Sequence, residues 1–463
     1  MKLAQSARDV RRWLARQIAG DVSERRFDAA GTSGRWPIAA TMTSPLRSGL
    51  NARATLAQRA GYLAANSPYI AAIVGNVTTA FCGDGPTLQH DNQKIVEAWN
   101  RRFWPQCDAE GVSSLGHMLA RAVRCVFVTG EAFIVFKIDP ETGALRLQLI
   151  APDQVDATRN EDLGGGAFIT SGIETDAAGN HVAIWVLPRS TDHPLAPSIA
   201  PDAVRIPVSD VCHVFDPPSP GAVRGVSPLA PVLTRALELD ALEDALLAQQ
   251  KVAALLCAFI TDPSGQVDLG KVAGDGSISM EPATIRVLPD GALVNAIDPP
   301  QIQGGESFQR AMIRSLAAAM GVPFELVSAD LSQTSFSSAR FGDRFFRRRT
   351  TQVQRTILEP QFLDRVFARF VALETLAGRL DVDLETLPPP RWLWPAYEPI
   401  DPSKDTQADV AAVAAGFASR AEIIAKRGRD PVDVDAEIAA DPRPAPAMPT
   451  PSPTVTLDQE QSK

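Results

Sequence analysis

The spacing of apolar residues changes period more than once along the chain. Ile70, Ile73, Val74, Val77 and Phe81 recur at helical spacing behind Ser67-Pro68, and 95–103 and 115–127 repeat the pattern, which predicts a layer of helices. From 131 to 216 the period drops to two. Strands are predicted at EAFIVFKI, LRLQLI, AFITSGIE, HVAIWVLP and VCHVFDP, separated by turns such as Asp139-Pro140-Glu141-Thr142-Gly143, Gly164-Gly165-Gly166 and Asp176-Ala177-Ala178-Gly179-Asn180. A β-rich lobe follows from this. Ser227-Pro228 then opens a helix whose apolar face is expected to hold Leu229, Leu233, Ala236, Leu237, Leu239, Leu242, Leu246 and Leu247. It is expected to run to about Ile260, roughly 50 Å at 1.5 Å per residue.

Residues 261–303 are rich in Gly, Pro and Asp and contain short strands, TIRVLP and ALVNAI, so they read as a small projecting insert. Phe308, Met312, Leu316 and Met320 mark a helix that Gly321-Val322-Pro323 ends. From Phe324 to Phe336 the pattern has no period, and Ser337-Ser338 offer hydroxyl caps for a helix opening at Ala339-Arg340. That helix carries Arg340, Arg344, Arg347, Arg348 and Arg349 against the single acid Asp343, and runs to about Gly378 with a kink expected at Pro360. The segment RWLWPAYEPI (391–400) reads as an edge strand, followed by helices at 403–416 and 419–426. A Pro-rich tail from Asp441 reads as disordered. The fold class is α+β and mainly helical.

With 463 residues and 45% hydrophobic content, the chain has room for two or three domains or one multi-lobed unit. A net charge of −9 argues against a protein that coats DNA, because neutralising phosphates needs surplus Lys and Arg, so any nucleic-acid contact must be local. Basic residues do concentrate in 1–60, a partly disordered arm that is either a solvated tail or a dock for an acidic partner or nucleic acid. Cys82, Cys107, Cys125, Cys212 and Cys257 are widely spaced among apolar neighbours and read as reduced core residues of a protein assembled in a cytosolic compartment. Neither a signal peptide nor a run of about 18 apolar residues is found, which predicts a soluble chain with no membrane partner.

Signatures of catalysis are missing: there is no GxSxG, HExxH, CxxC pair, EF-hand loop or GxGxxG. Gly265 to Lys271 matches the phosphate-cradling GxxxxGK pattern, but Val272 stands where magnesium needs Ser or Thr, and the segment follows a helix, not a strand. It supports only an alternative reading, a nucleotide-binding enzyme using Lys271. The pairs Asp381/Asp383 and Asp433/Asp435 suit solvated faces better than magnesium, and His213 suits a half-buried structural role better than metal ligation. No cofactor or metal is expected.

The order of several segments resembles the lambda family of phage portal proteins. They are Asn66-Ser67-Pro68 with Gly75-Asn76-Val77, Gly130-Glu131-Ala132-Phe133, Leu149-Ile150-Ala151-Pro152-Asp153, and Val211 to Phe215 running on to Arg224-Gly225-Val226-Ser227-Pro228-Leu229. Further on lie Leu316 to Leu326, Ser335-Phe336-Ser337-Ser338-Ala339-Arg340, and Trp394 with Ile400-Asp401-Pro402-Ser403-Lys404. The series covers about 55–430. It departs from the family at Pro217 to Val223, where Arg and Gln are frequent, and at Phe336, where a tyrosine is common.

The resemblance implies a basic arm (1–54), a wing (55–224), a stem helix (225–260), a clip (261–303), a second stem helix (304–323), a tunnel loop (324–337), a long kinked helix returning to the wing (338–390), a crown (391–440) and a tail (441–463). It also implies a twelve-fold ring at one capsid vertex, with double-stranded DNA passing through. Docking to the terminase large subunit, a head-tail adaptor and the major capsid or scaffold protein would follow, with assembly in the host cytoplasm. Channel contacts would fall on Glu325, Ser328, Asp330, Ser332, Gln333, Thr334 and Ser335. The five arginines would touch DNA or a neighbouring subunit, and Arg224 and Gly225 would mark the wing–stem junction.

Overall fold

The computed structural model describes residues 45–189, 202–254, 258–261, 293–296, 305–332, 334–397 and 401–441. Helices α1 (Pro45–Asn66) and α2 (Pro68–Cys82) meet at Ser67, and α2 buries the expected face of Ile70, Ile73, Val74, Val77 and Phe81. The arm read from the basic composition thus gives way to helix well before residue 54, and Ala60, Leu63 and Ala64 of α1 are core residues. Strand β1 (Thr87–Gln89) leads to α3 (Gln93–Ala98), which widens into a π turn at Trp99–Phe103. Then comes α4 (Leu115–Thr129), capped by the Ser114 hydroxyl and ended by Gly130 in the left-handed region.

The β lobe is two sheets. β2 (Glu131–Ile138) lies between β3 (Leu145–Ile150) and β9 (Val211–Phe215). A second, antiparallel sheet runs in sequence order through β4 (Glu161–Gly164), β5 (Ala167–Thr170), β6 (Ile173–Thr175), β7 (His181–Val186) and β8 (Val204–Pro207). The first six residues of β2 are all buried because both of its faces are covered: Ala132, Ile134 and Phe136 join the main helical core, while Phe133 and Val135 join a second core with Ile173, Ile184 and Val186. The segment read as one strand, AFITSGIE, breaks at Ser171-Gly172, both at positive φ, into the hairpin of β5 and β6.

Helix α5 (Leu233–Ala254) starts five residues after Pro228, and 228–232 form a turn instead of the expected first helical turn. It also ends early: 258–260, expected to be helical, belong to β10 (Ala258–Thr261), paired antiparallel with β11 (Leu293–Ala296). The β-branched residues of Ala-Phe-Ile-Thr favour the strand once a partner exists. Lys271 and the rest of the Gly265–Lys271 pattern, the segment TIRVLP and Cys257 lie outside the described residues.

Then follow α6 (Gly305–Met320), a short helix α7 (Phe324–Ser328) inside the stretch expected to be irregular, and α8 (Phe336–Val353). α8 opens three residues before the expected start, with Ser335 as its cap. The kink expected at Pro360 is a π-helical stretch, Gln354–Leu363, whose wide turns accommodate a residue with no N–H to donate; α9 (Asp364–Leu376) continues from it. β12 (Arg391–Leu393) pairs with β1, and the indoles of Trp392 and Trp394 donate to Asp364 and Glu359. Trp99 is fully buried within 6 Å of the rings of Phe103, Phe367, Phe370 and Trp392.

Three helices close the described chain: α10 (Pro402–Ala414), α11 (Arg420–Lys426) and α12 (Pro431–Ala440). The last was not anticipated, although Asp430-Pro431 carries the cap-and-proline start. None of the three contributes a buried residue. Asp383 caps its own turn and Asp435 pairs with Arg420, so both are spent on local structure. Among the described residues no helix is long and apolar enough to cross a membrane. Cys82, Cys107, Cys125 and Cys212 are free thiols, and burial pushes them up to about 12, 12, 11 and 12.

Candidate functional site

Two structures meet where α5 leaves the body. The first is a buried ion cluster around Glu131. Its Oε1 accepts from Arg224 Nη2 at 2.6 Å and Arg53 Nη1 at 2.8 Å, and its Oε2 from His213 Nε2 and the Gly225 N–H, each at 3.0 Å. Burial alone would raise the Glu131 carboxyl, but the Arg224 charge and the His213 and Arg224 hydrogen bonds hold it well below the usual carboxylate range. Burial pushes His213 down to about 4, so at neutral pH it is uncharged, donating through Nε2 and stacked between Phe133 and Phe215 at 4.3 and 4.1 Å.

Arg224 also donates to the carbonyls of Pro152 and Ser171, the latter turned inward by the positive φ of Ser171. Beside it Gly130 and Gly225 lie back to back: a methyl on Gly225 would overlap the Gly130 carbonyl, and one on Gly130 the Val226 backbone. Arg224 and Gly225 thus belong to a knot that ties α1, β2, β9 and the turn into α5. Of its members, Arg53 and Glu131 were not anticipated as site residues. The available signal was a lone acid opening a strand whose next five residues are apolar, EAFIVF, which demands a buried cation.

The second structure is a helix pair. Leu233, Ala236 and Leu239 of α5 are buried, but beyond Leu239 no described residue of that helix is; α6 is the mirror case, buried at Ile313, Leu316, Ala317 and Met320. The pair thus emerges from the body, with β10 and β11 at its outer end. Polar ties hold it at the base: Glu243 accepts from Tyr69 and Gln309, each at 2.6 Å, and Asp240 accepts from Ser67 at 3.2 Å.

The loop after α6 is organised by its own side chains. Ser328 Oγ donates to Phe324 O and accepts from the Asp330 N–H; Asp330 accepts from the Ser332 N–H and hydroxyl and pairs with Arg310 at 2.9 Å. The Ser332 hydroxyl, its N–H and the cations Arg310 and Arg314 lower the Asp330 carboxyl. Glu325 accepts from Thr334 at 3.1 Å, and Ser335 caps α8. The loop is thus brought together at Glu325, Ser328, Asp330, Ser332, Thr334 and Ser335, while Gln333 lies outside the described residues.

The five arginines separate. Arg340 pairs with Asp405 at 3.3 Å, and Arg347 with Asp343 at 2.6 Å while lying 4.5 Å over the Tyr397 ring. Of these contacts, Arg340–Asp405 joins α8 to α10. Arg349 turns inward to donate to Met320 O, satisfying the carbonyl end of α6 beside Gly321, and burial lowers its pKa. Arg344 and Arg348 remain exposed with no ion pair among the described residues.

A family model described as phage portal protein, lambda family, matches residues 34–354. The chain is 25% identical over 370 residues to the probable portal protein of Halomonas phage phiHAP-1, covering 76% of this chain and 71% of that protein. It is 23% identical over 403 residues to portal protein B of Escherichia phage lambda, covering 75% and 72%. In fold it is similar to a chain in the neck of an empty gene transfer agent particle: the TM-score is 0.52 at 16% identity, with 82% of this chain and 94% of that one covered.

Proposed function

Because the chain belongs to the lambda family of phage portal proteins, we propose that it is one subunit of a twelve-membered ring at a capsid vertex through which double-stranded DNA is packaged and ejected. In this reading it is a structural conduit, not an enzyme. α5 and α6 form the stem, 261–303 the clip that docks the terminase large subunit and later a head-tail adaptor, and α10 to α12 the crown. The loop between α7 and α8 lines the channel, and the capsid or scaffold protein surrounds the wing.

The observation that carries the reading is that three long helices, α5, α6 and α8, each keep large apolar side chains exposed. Leu237 and Leu247 on α5, Phe308 on α6, and Phe341 and Phe345 on α8 are all more than half exposed, so these helices are unfinished in a single chain. Neighbours in a ring would cover them. An acidic chain with a loop of Ser, Thr and Asp suits passage of a duplex, since strong phosphate attraction would hold it in place. Excising 332–334, which spares the Ser335 cap, tests the channel role: rings should still form while DNA-filled particles fall, and normal yields of filled particles would contradict it.

A further inference from the structure

Two exposed helix stripes in this chain carry opposite charges, one with bulky aromatic rings and one with alanines. On α8 the outward residues Phe341, Arg344, Phe345 and Arg348 follow at helical spacing; the two rings lie 4.9 Å apart edge to face and are 65% and 60% exposed. Neither arginine has an ion pair among the described residues, although Arg340, Arg347 and Arg349 of the same helix all have partners. On α5 the outward stripe is Leu237, Glu238, Ala241, Asp244 and Ala245, with Leu237 55% exposed. Glu238 and Asp244 likewise have no ion pair among the described residues, whereas Asp240 and Glu243, on the inner side, are both hydrogen-bonded.

We propose that the aromatic and arginine stripe of α8 packs on the alanine and carboxylate stripe of α5 in the next copy of this chain. This deepens the ring reading and rests on it. The spacing supports it: Phe341 and Phe345 stand four residues apart, as do Ala241 and Ala245, so the bulky ridge of one helix can enter the shallow groove of the other. Burying two phenyl rings, each of roughly 150–250 Å², supplies the attraction, and the two arginines facing two acids select the partner and the register. The two faces differ, so the contact is head-to-tail, the kind that closes into a ring or runs on as a filament.

A charge exchange tests it. R344E/R348E and E238R/D244R are each expected to fold, by unchanged far-ultraviolet circular dichroism, and to lose rings in negative stain, because like charges then face each other. The chain carrying all four substitutions is expected to regain them. Rings that persist in both reversal variants, or losses that the fourfold variant does not rescue, overturn the proposal. Should a reversal variant fail to fold, Phe345→Cys with Ala241→Cys is read instead. Joined by a short bis-maleimide, it should give a ladder rising in steps of one chain mass, absent from either single variant. Wild-type rings with no ladder overturn the proposed contact and leave the ring intact, whereas a wild-type chain that forms no rings counts against the ring itself.

Discussion

Arg224 and Glu131 form a forked ion pair in which neither side chain reaches solvent, with Nη2 2.6 Å from Oε1 and Nε within 3.0 Å of both oxygens. One residue opens the central strand of the β lobe and the other precedes the turn into α5, so the pair sets how the projecting helices leave the body. Removing one partner strands the other charge in the core. Arg224→Ala is expected to lower stability by about 3–5 kcal/mol, and Arg224→Lys, which cannot make the fork, to fall between it and wild type. Urea unfolding checks this, and an unchanged midpoint for Arg224→Ala would contradict it.

The same cluster sets an acid limit. His213 has a folded value of about 4 against an ordinary 6.5, so the unfolded chain binds its proton first as pH falls. Its contribution is fully present above 6.5 and is lost as pH drops toward 4, by about 3 kcal/mol in all. Glu131, also lowered, adds a loss below the ordinary carboxylate range. His213→Asn should flatten the slope between pH 6.5 and 4, leaving a smaller one from His181, which burial also lowers. An identical slope in the variant would argue against the cluster as its source.

Trp99, in the π turn that follows α3, fastens it to α9 through Phe367 and Phe370 and to β12 through Trp392. Trp99→Ala should lower stability by about 3–5 kcal/mol, read as a drop in the urea midpoint. A shift under about 1 kcal/mol would mean that the site collapses around the loss.

The helices 402–440 bury no residue; polar contacts to the body include Arg340–Asp405 on α8 and Gln89–Asp430 on β1. Exposed pairs of this kind are screened by salt. Amide exchange in this segment should accelerate between low and high salt while that of α4 and β2 stays constant; equal behaviour in the two regions would contradict an electrostatic attachment.

Periodicity read the buried face of α2 correctly because its apolar residues fall on one face of the helix. It was less informative where partners decide the outcome. Ala258–Thr261 continues an apolar run that a helix could use, and only pairing with Leu293–Ala296 makes it a strand. The start of α8 was displaced because three serines, Ser335, Ser337 and Ser338, are all competent caps, and the geometry uses the first. The arginine run marked the right helix, but charge alone cannot say that Arg349 faces inward while Arg344 and Arg348 face out. Arg53 was hidden by its setting in a basic segment, since its partner, Glu131, lies 78 residues away.

The most direct test of the account is the native mass of the purified protein by light scattering, with negative-stain images of the same sample. The account predicts a species near about 0.6 MDa, roughly twelve chains of 49.6 kDa, seen as rings with a central channel. A monomer or a compact dimer that persists at every protein concentration would contradict it, and a dimer that also bound nucleotide would favour the reading at Lys271.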